Sequence, residues 1–129
     1  MAIRVVRLGT ARTKGEGLRL GTVRRPPRGV RKSDYAKLNF YDLWLPELSP
    51  SLPLFSRFMK SAKDEASWKK FSRQYRGEMS APAARRLLDL LAHLSRQINF
   101  SVGCYCENEQ RCHRSVLREL LHSRGAKLG

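Results

Sequence analysis

The sequence is short of acids, has few cysteines and lacks a long apolar run, and each shortage removes a class of protein. Eleven Asp and Glu stand against 26 Lys and Arg, giving a formal charge of +15 in 129 residues. No stretch approaches the roughly 18 apolar residues that cross a bilayer, so no membrane partner is expected. The opening Met1-Ala-Ile-Arg-Val-Val-Arg7 has neither the apolar core nor the cleavage pattern of a signal peptide. A cytoplasmic location is the expectation. The three cysteines, Cys104, Cys106 and Cys112, cannot all pair within one chain. In an extended segment Cys104 and Cys106 point the same way with Cα atoms about 6.5–7 Å apart, too far to bridge easily. A disulfide framework is therefore not expected, as suits a reducing compartment.

What is present fits one compact domain over residues 1–129, long enough to bury a sizeable core. There is no internal repeat and no low-complexity linker. Eleven of the basic residues fall in residues 1–39, where only Glu16 and Asp34 are acidic. Such a field attracts polyanions and speeds their encounter, so a nucleic acid or a phosphorylated small molecule is the expected partner. An arginine-rich proteome gives the same composition without that role, and charge alone does not choose.

Period-two patterning predicts strands over 3–8 and 18–24, with 10–17 between them as an exposed loop. The Arg24-Arg-Pro-Pro-Arg-Gly29 stretch is a turn, because two prolines remove two donors and Gly29 permits the reversal. The run Phe40–Leu45 reads as a buried strand stopped by Pro46, followed by a short helix over 54–60. Trp68, Phe71, Tyr75 and Met79 have helical spacing, placing a helix over 65–79 with Asp64 near its start. Ser80 and Pro82 open another helix, with Leu87, Leu88, Leu90, Leu91 and Leu94 as its core stripe. Residues 99–106 form the last strand, Glu107–Gln110 a polar turn, and 112–123 the last helix, stopped by Gly125. Strands separated by helices predict an α/β fold, a short, mostly parallel sheet flanked by helices. Ligands gather beyond the carboxyl ends of such strands, where the cysteine segment falls.

That segment, Cys104-Tyr-Cys106-Glu107 and then Cys112-His113-Arg114, is the part most suggestive of chemistry. On a helix, Cys112 shares a face with Val116 and Leu120 and points inward, while Arg114, Arg118 and His122 share the solvent side. A thiol at a helix N-terminus is activated by the dipole and free amides, which can equally hold a phosphate. His113, adjacent in sequence, points away from Cys112 on a helix, so a Cys–His pair is disfavoured. The Cys112-x5-Arg118 count matches a thiol-phosphatase loop, yet its residues contain no Gly and read as helix already under way. C-x-C-x5-C-H is not a familiar zinc spacing, and neither metal nor cofactor is expected. Small buried cysteines packing beneath a helix cap remain the bland alternative.

The stretches Tyr41–Ser51, Trp68…Phe71…Tyr75…Glu78 and Cys112–Leu121 together resemble the DUF488 family of uncharacterised proteins, nearest its YeaO-like branch. The resemblance implies a compact α/β domain in a cytosolic bacterial or archaeal setting. Members typically carry a Trp-Pro-Arg-Gly type turn, which here reads Arg25-Pro26-Pro27-Arg28-Gly29. The acidic turn and Cys-His-Arg that follow the last strand in many members are kept as Glu107, Cys112, His113 and Arg114. The resemblance transfers no reaction.

The expected site is an anion pocket joining the Arg25–Arg28 turn to the cap of the last helix. Arg25, Arg28, Arg114 and His113 would hold a phosphate, Cys112 or Cys106 would be a reactive thiol, and Glu107 would orient. The alternatives are a non-catalytic DNA- or RNA-binding module using 10–17 and 24–32, and an interaction protein dimerising through Tyr35, Phe40 and Tyr41. A monomer and a homodimer fit equally.

Overall fold

A computed structural model describes residues 2–129. The strands are β1 (Ile3–Arg7), β2 (Leu18–Gly21), β3 (Leu43–Trp44) and β4 (Phe100–Cys104), and the helices are α1 (Leu52–Met59), α2 (Glu65–Glu78), α3 (Pro82–Leu94) and α4 (His113–Ser123). The four strands form one all-parallel sheet in the order β1-β4-β2-β3. The α/β expectation is met, with a sheet wholly rather than mostly parallel. The last strand in sequence lies between the first two. Ile3 and Leu18 both align with Phe100. Every residue of β4 is buried, as expected of a strand with neighbours on both edges.

Local chemistry sets the helix boundaries. The Asp64 side chain accepts from Ser67 N at the start of α2, and Pro82 occupies the first turn of α3, a position that needs no N–H. Ile3, Leu20, Phe100 and Val102 of the sheet meet Phe71, Tyr75, Leu88, Leu91, Leu117 and Leu121 of the helices in the main core. A smaller cluster, Leu8, Val23, Tyr41, Cys104 and Cys112, packs with Tyr35, Phe40 and Tyr105. Tyr75 is fully buried, and its hydroxyl donates to the Leu48 carbonyl at 2.6 Å. Tyr75→Phe leaves that carbonyl unpaired and is expected to cost about 1–3 kcal/mol. In urea unfolding the midpoint should fall while the slope stays constant.

Four expectations need correction. The Phe40–Leu45 run is not a buried strand: only Leu43–Trp44 pairs, at the sheet edge, and both residues are exposed. Its apolar character serves the smaller core through Tyr41, so Tyr41 is not a surface aromatic available for dimerisation. The loop 10–17 is not wholly exposed, since Glu16 is buried against Arg19. Leu90 faces solvent, and the α3 stripe is carried by Leu88 and Leu91 with Leu87 and Leu94 partly covered.

The buried ion pair ties three segments together. Arg19 donates to both Glu16 carboxylate oxygens at 2.8 and 3.0 Å, and to the Thr10 and Asn39 carbonyls. Glu16 also accepts from Ser101 Oγ on β4 at 2.7 Å and from Thr13 N. Burial works to raise the Glu16 pKa, but bonds from Arg19, Ser101 and Thr13 overcome it and hold the carboxyl at about 2.

Candidate functional site

The carboxyl ends of β4 and β2 open onto a cleft of about 230 Å³. Its walls include Arg24 and Arg25 beyond β2, Leu52 and Phe55 on α1, Cys104 at the end of β4 with Tyr105 and Cys106 beyond it, and His113 opening α4. A neighbouring cleft of about 330 Å³ reaches Lys63, Arg111 and Cys112, and Cys106 and His113 line both.

The five residues between Cys106 and Cys112 fold the chain back on itself. Asn108 caps a short turn at Glu109–Arg111, its side chain accepting from Gln110 N. This returns Cys112 beside the end of β4. The sulfurs of Cys104, Cys106 and Cys112 all lie within 4.8 Å of one another. Cys104 and Cys112 are buried and Cys106 is exposed, so one residue of the three reaches solvent.

Cys112 is not on the helix. It is the N-cap of α4, with φ −122° and ψ 148°. The expectation that His113 points away fails for this reason: an extended cap residue and the first helical residue need not diverge as two helical residues do. Cys112 Sγ lies 3.8 Å from His113 Nδ1. His113 Nε2 lies 2.7 Å from the Thr22 carbonyl. A carbonyl only accepts, so Nε2 carries the proton. Burial pushes the His113 pKa down, with the Thr22 bond partly opposing it. Burial favours the neutral ring, in which the Nδ1 lone pair faces Cys112. The Tyr75 ring meets His113 edge-on at 5.5 Å.

Charge within the thiol cluster gathers on Cys106. Hydrogen bonds from Cys104 and Cys112 hold its pKa well below the usual thiol range against the cost of burial, and the Arg114 charge adds to this. Cys104 is pushed far up by its bonds to Cys106 and Cys112 and by burial. For Cys112, the Cys104 bond lowers the pKa, but the Cys106 bond and burial outweigh it and carry the thiol to about 11.

Arg114 departs from its expected solvent side. It is buried, at 3% exposure, and its Nη2 donates to the Cys106 carbonyl at 2.6 Å. Its Nε has no partner, and among the described residues no carboxylate lies within ion-pair distance. The guanidinium turns back from the first turn of α4 beneath the β4–α4 loop, whereas Arg118 pairs with Glu109 and His122 is exposed. Arg25 is exposed at the cleft wall, and its carbonyl accepts from the Tyr105 hydroxyl. Arg24 is committed to the Ser49 and Pro50 carbonyls. Arg28 is exposed on its turn and lines neither cleft. Glu107 points outward to Arg7 at 3.4 Å, with its side chain 83% exposed.

The structure thus gathers Cys106, Cys112, His113 and Arg114, sets Arg25 at the rim, and leaves Arg28 and Glu107 outside. Cys104, read from sequence as packing, belongs to the same cluster. Its signal was the bracket of Cys-x-Cys and Cys-His around one polar loop, since a loop that closes brings its ends together.

These features define an all-parallel α/β domain with a thiol-lined cleft at the carboxyl ends of its central strands. The sequence model of DUF488-N3a, described as the active DUF488-N3 subclade, matches residues 3–125. The chain belongs to the DUF488 family. No curated protein and no solved structure shows significant similarity to it.

Proposed function

We propose that the protein is an enzyme that seats a phosphate-bearing ligand, a nucleotide or nucleic acid, at the β4-to-α4 turn and acts on it with the Cys106 sulfur. The observation that carries this reading is the three-thiol cluster at the end of β4, from which exposed Cys106 lines both clefts, with a buried guanidinium bonded to the Cys106 carbonyl and paired with no acid among the described residues. The cleft occupies the place where parallel sheets gather ligands. Arg25 at its wall suits an anion. Cys106 is the thiol a substrate can reach, while Cys112 lies behind it. The description of the matched subclade as active also favours catalysis.

The test pairs binding with turnover across a panel of nucleotides and short oligonucleotides. Arg25→Ala is expected to weaken phosphate ligands about tenfold or more, the order of one charge-assisted hydrogen bond. Cys106→Ser is expected to leave affinity within about twofold, on the premise that a phosphate held by charge-assisted bonds does not need the sulfur, and to abolish turnover. Turnover that persists in Cys106→Ser removes the catalytic reading. Binding that ignores Arg25→Ala removes the anion site. A non-catalytic nucleic-acid module instead gives binding with a steep salt dependence and no turnover in either protein.

A further inference from the structure

We infer that Cys104, Cys106 and Cys112 form a binding site for a thiophilic divalent ion of the Zn2+ class, with three sulfur ligands and the fourth position open to the cleft. Sulfurs bonded to zinc at about 2.3 Å in tetrahedral geometry stand about 3.8 Å apart. The three sulfurs here already lie within 4.8 Å of one another, so the approach left to an ion is on the order of an ångström. Two sulfurs sit on fixed elements: Cys104 ends the buried β4, and Cys112 caps α4. Cys106, on the loop between them, is exposed and gives the ion access.

Electrostatics agrees independently. Three thiolates around a divalent ion carry one net negative charge. Arg114 is buried against the Cys106 carbonyl with a free Nε and no carboxylate partner. A buried cation without a counter-charge is costly, and the loaded cluster keeps beside Arg114 the one net negative charge that Cys106 carries in the ion-free chain.

His113 resembles metal-ligating imidazoles in one respect, one ring nitrogen being tied to a backbone carbonyl and the other free. Yet its Nδ1 approaches Cys112 alone and is not among the mutually close ligand atoms. It orients Cys112, and the fourth position is left to a ligand or water from the cleft. Three protein ligands and one open position is the pattern of catalytic rather than structural zinc. The cleft of the reading above remains the place where a ligand arrives, and the ion replaces the free Cys106 sulfur. The unfamiliar C-x-C-x5-C-H spacing ceases to count against a metal, because Cys112 lies off the helix and His113 is not needed as a ligand.

An ion and a covalent role for the Cys106 sulfur exclude each other on one molecule, so the same sample distinguishes them. The test titrates the metal-stripped full chain with Cd2+ and Co2+, then competes with Zn2+. One equivalent is expected to bind, with thiolate-to-metal charge-transfer absorption that Zn2+ displaces. Affinity should fall at least tenfold in Cys106→Ser and in Cys112→Ser and stay within a few-fold in His113→Ala. Bound Zn2+ should also slow alkylation of Cys106 by iodoacetamide. Should Cys112→Ser fail to fold, Cys106→Ser still decides, because that side chain is exposed. Absence of the charge-transfer band, or a band unchanged in Cys106→Ser, overturns the site. If the metal-stripped protein turns over phosphate ligands and binds no ion, the ion site falls and the thiol enzyme stands. If the ion binds and no phosphate ligand does, the converse holds.

Discussion

Arg19→Met is expected to destabilise the protein by about 3–5 kcal/mol, the order of cost for removing one partner of a buried ion pair. Arg19 is fully buried, and Glu16 is 3% exposed. The substitution strands the Glu16 carboxylate and leaves the Thr10 carbonyl unpaired, while the Asn39 carbonyl keeps its bond from Gly9 N. A loss that large is a sizeable share of a small domain's total stability. Thermal or urea unfolding measures it, and a loss below about 1 kcal/mol would show that water reaches the pair.

The same pair makes stability depend on acid. The folded Glu16 pKa is about 2, below the ordinary 4.5. A depressed carboxyl pKa contributes stability that is fully present above the unfolded value and is lost as pH falls towards the folded one. The shift corresponds to about 3 kcal/mol, lost between about pH 4.5 and 2. Glu16→Gln should be less stable at neutral pH and should flatten this part of the profile.

The second large effect comes from Gly17→Ala. Gly17 has φ +81°, where side chains are strained. A Cβ there would lie 2.0 Å from the Asn99 carbonyl oxygen. The obstacle is backbone at the entrance to β4, which cannot swing aside as a side-chain tip can. Strain of about 1–2 kcal/mol and a clash of about 1–3 kcal/mol act together, and the displaced residue adjoins Glu16. Poor soluble expression or a thermal midpoint lowered by about 10 °C or more is the expected outcome. By contrast Gly15→Ala, with nothing within 4 Å of its Cβ position, meets only the conformational cost of its own positive φ. Equal losses in the two variants would show that the Asn99 contact is unimportant.

Several elements were legible before the fold was known. The aromatic spacing of Trp68, Phe71 and Tyr75 placed α2, Asp64 capped it, and Pro82 opened α3. These signals lie within one or two helical turns of the residues they govern. The Phe40–Leu45 run misled because apolar composition reports burial without saying what is buried: Tyr41 went inward and Leu43 and Trp44 outward. The candidate site was legible as an address more than as a geometry. Cys106, Cys112, His113 and Arg114 do converge at the end of β4, and Cys112 is buried as expected, but placing it on the helix misdirected His113 and Arg114.

By itself the sequence determined the α/β class, the positions of the main helices and membership of the DUF488 family, because periodicity, caps and motifs are local or directly comparable. Only the tertiary structure decided which side chains meet. It inserted β4 between β1 and β2, closed the loop that gathers three sulfurs, and buried two arginines. Arg19 has Glu16 to neutralise it, and Arg114 has no acid. The physical reason is that whether a charged side chain is buried depends on what distant segments pack over it, as Ser101 and Asn39 do over the local Glu16–Arg19 pair, and no spacing along the chain encodes that packing.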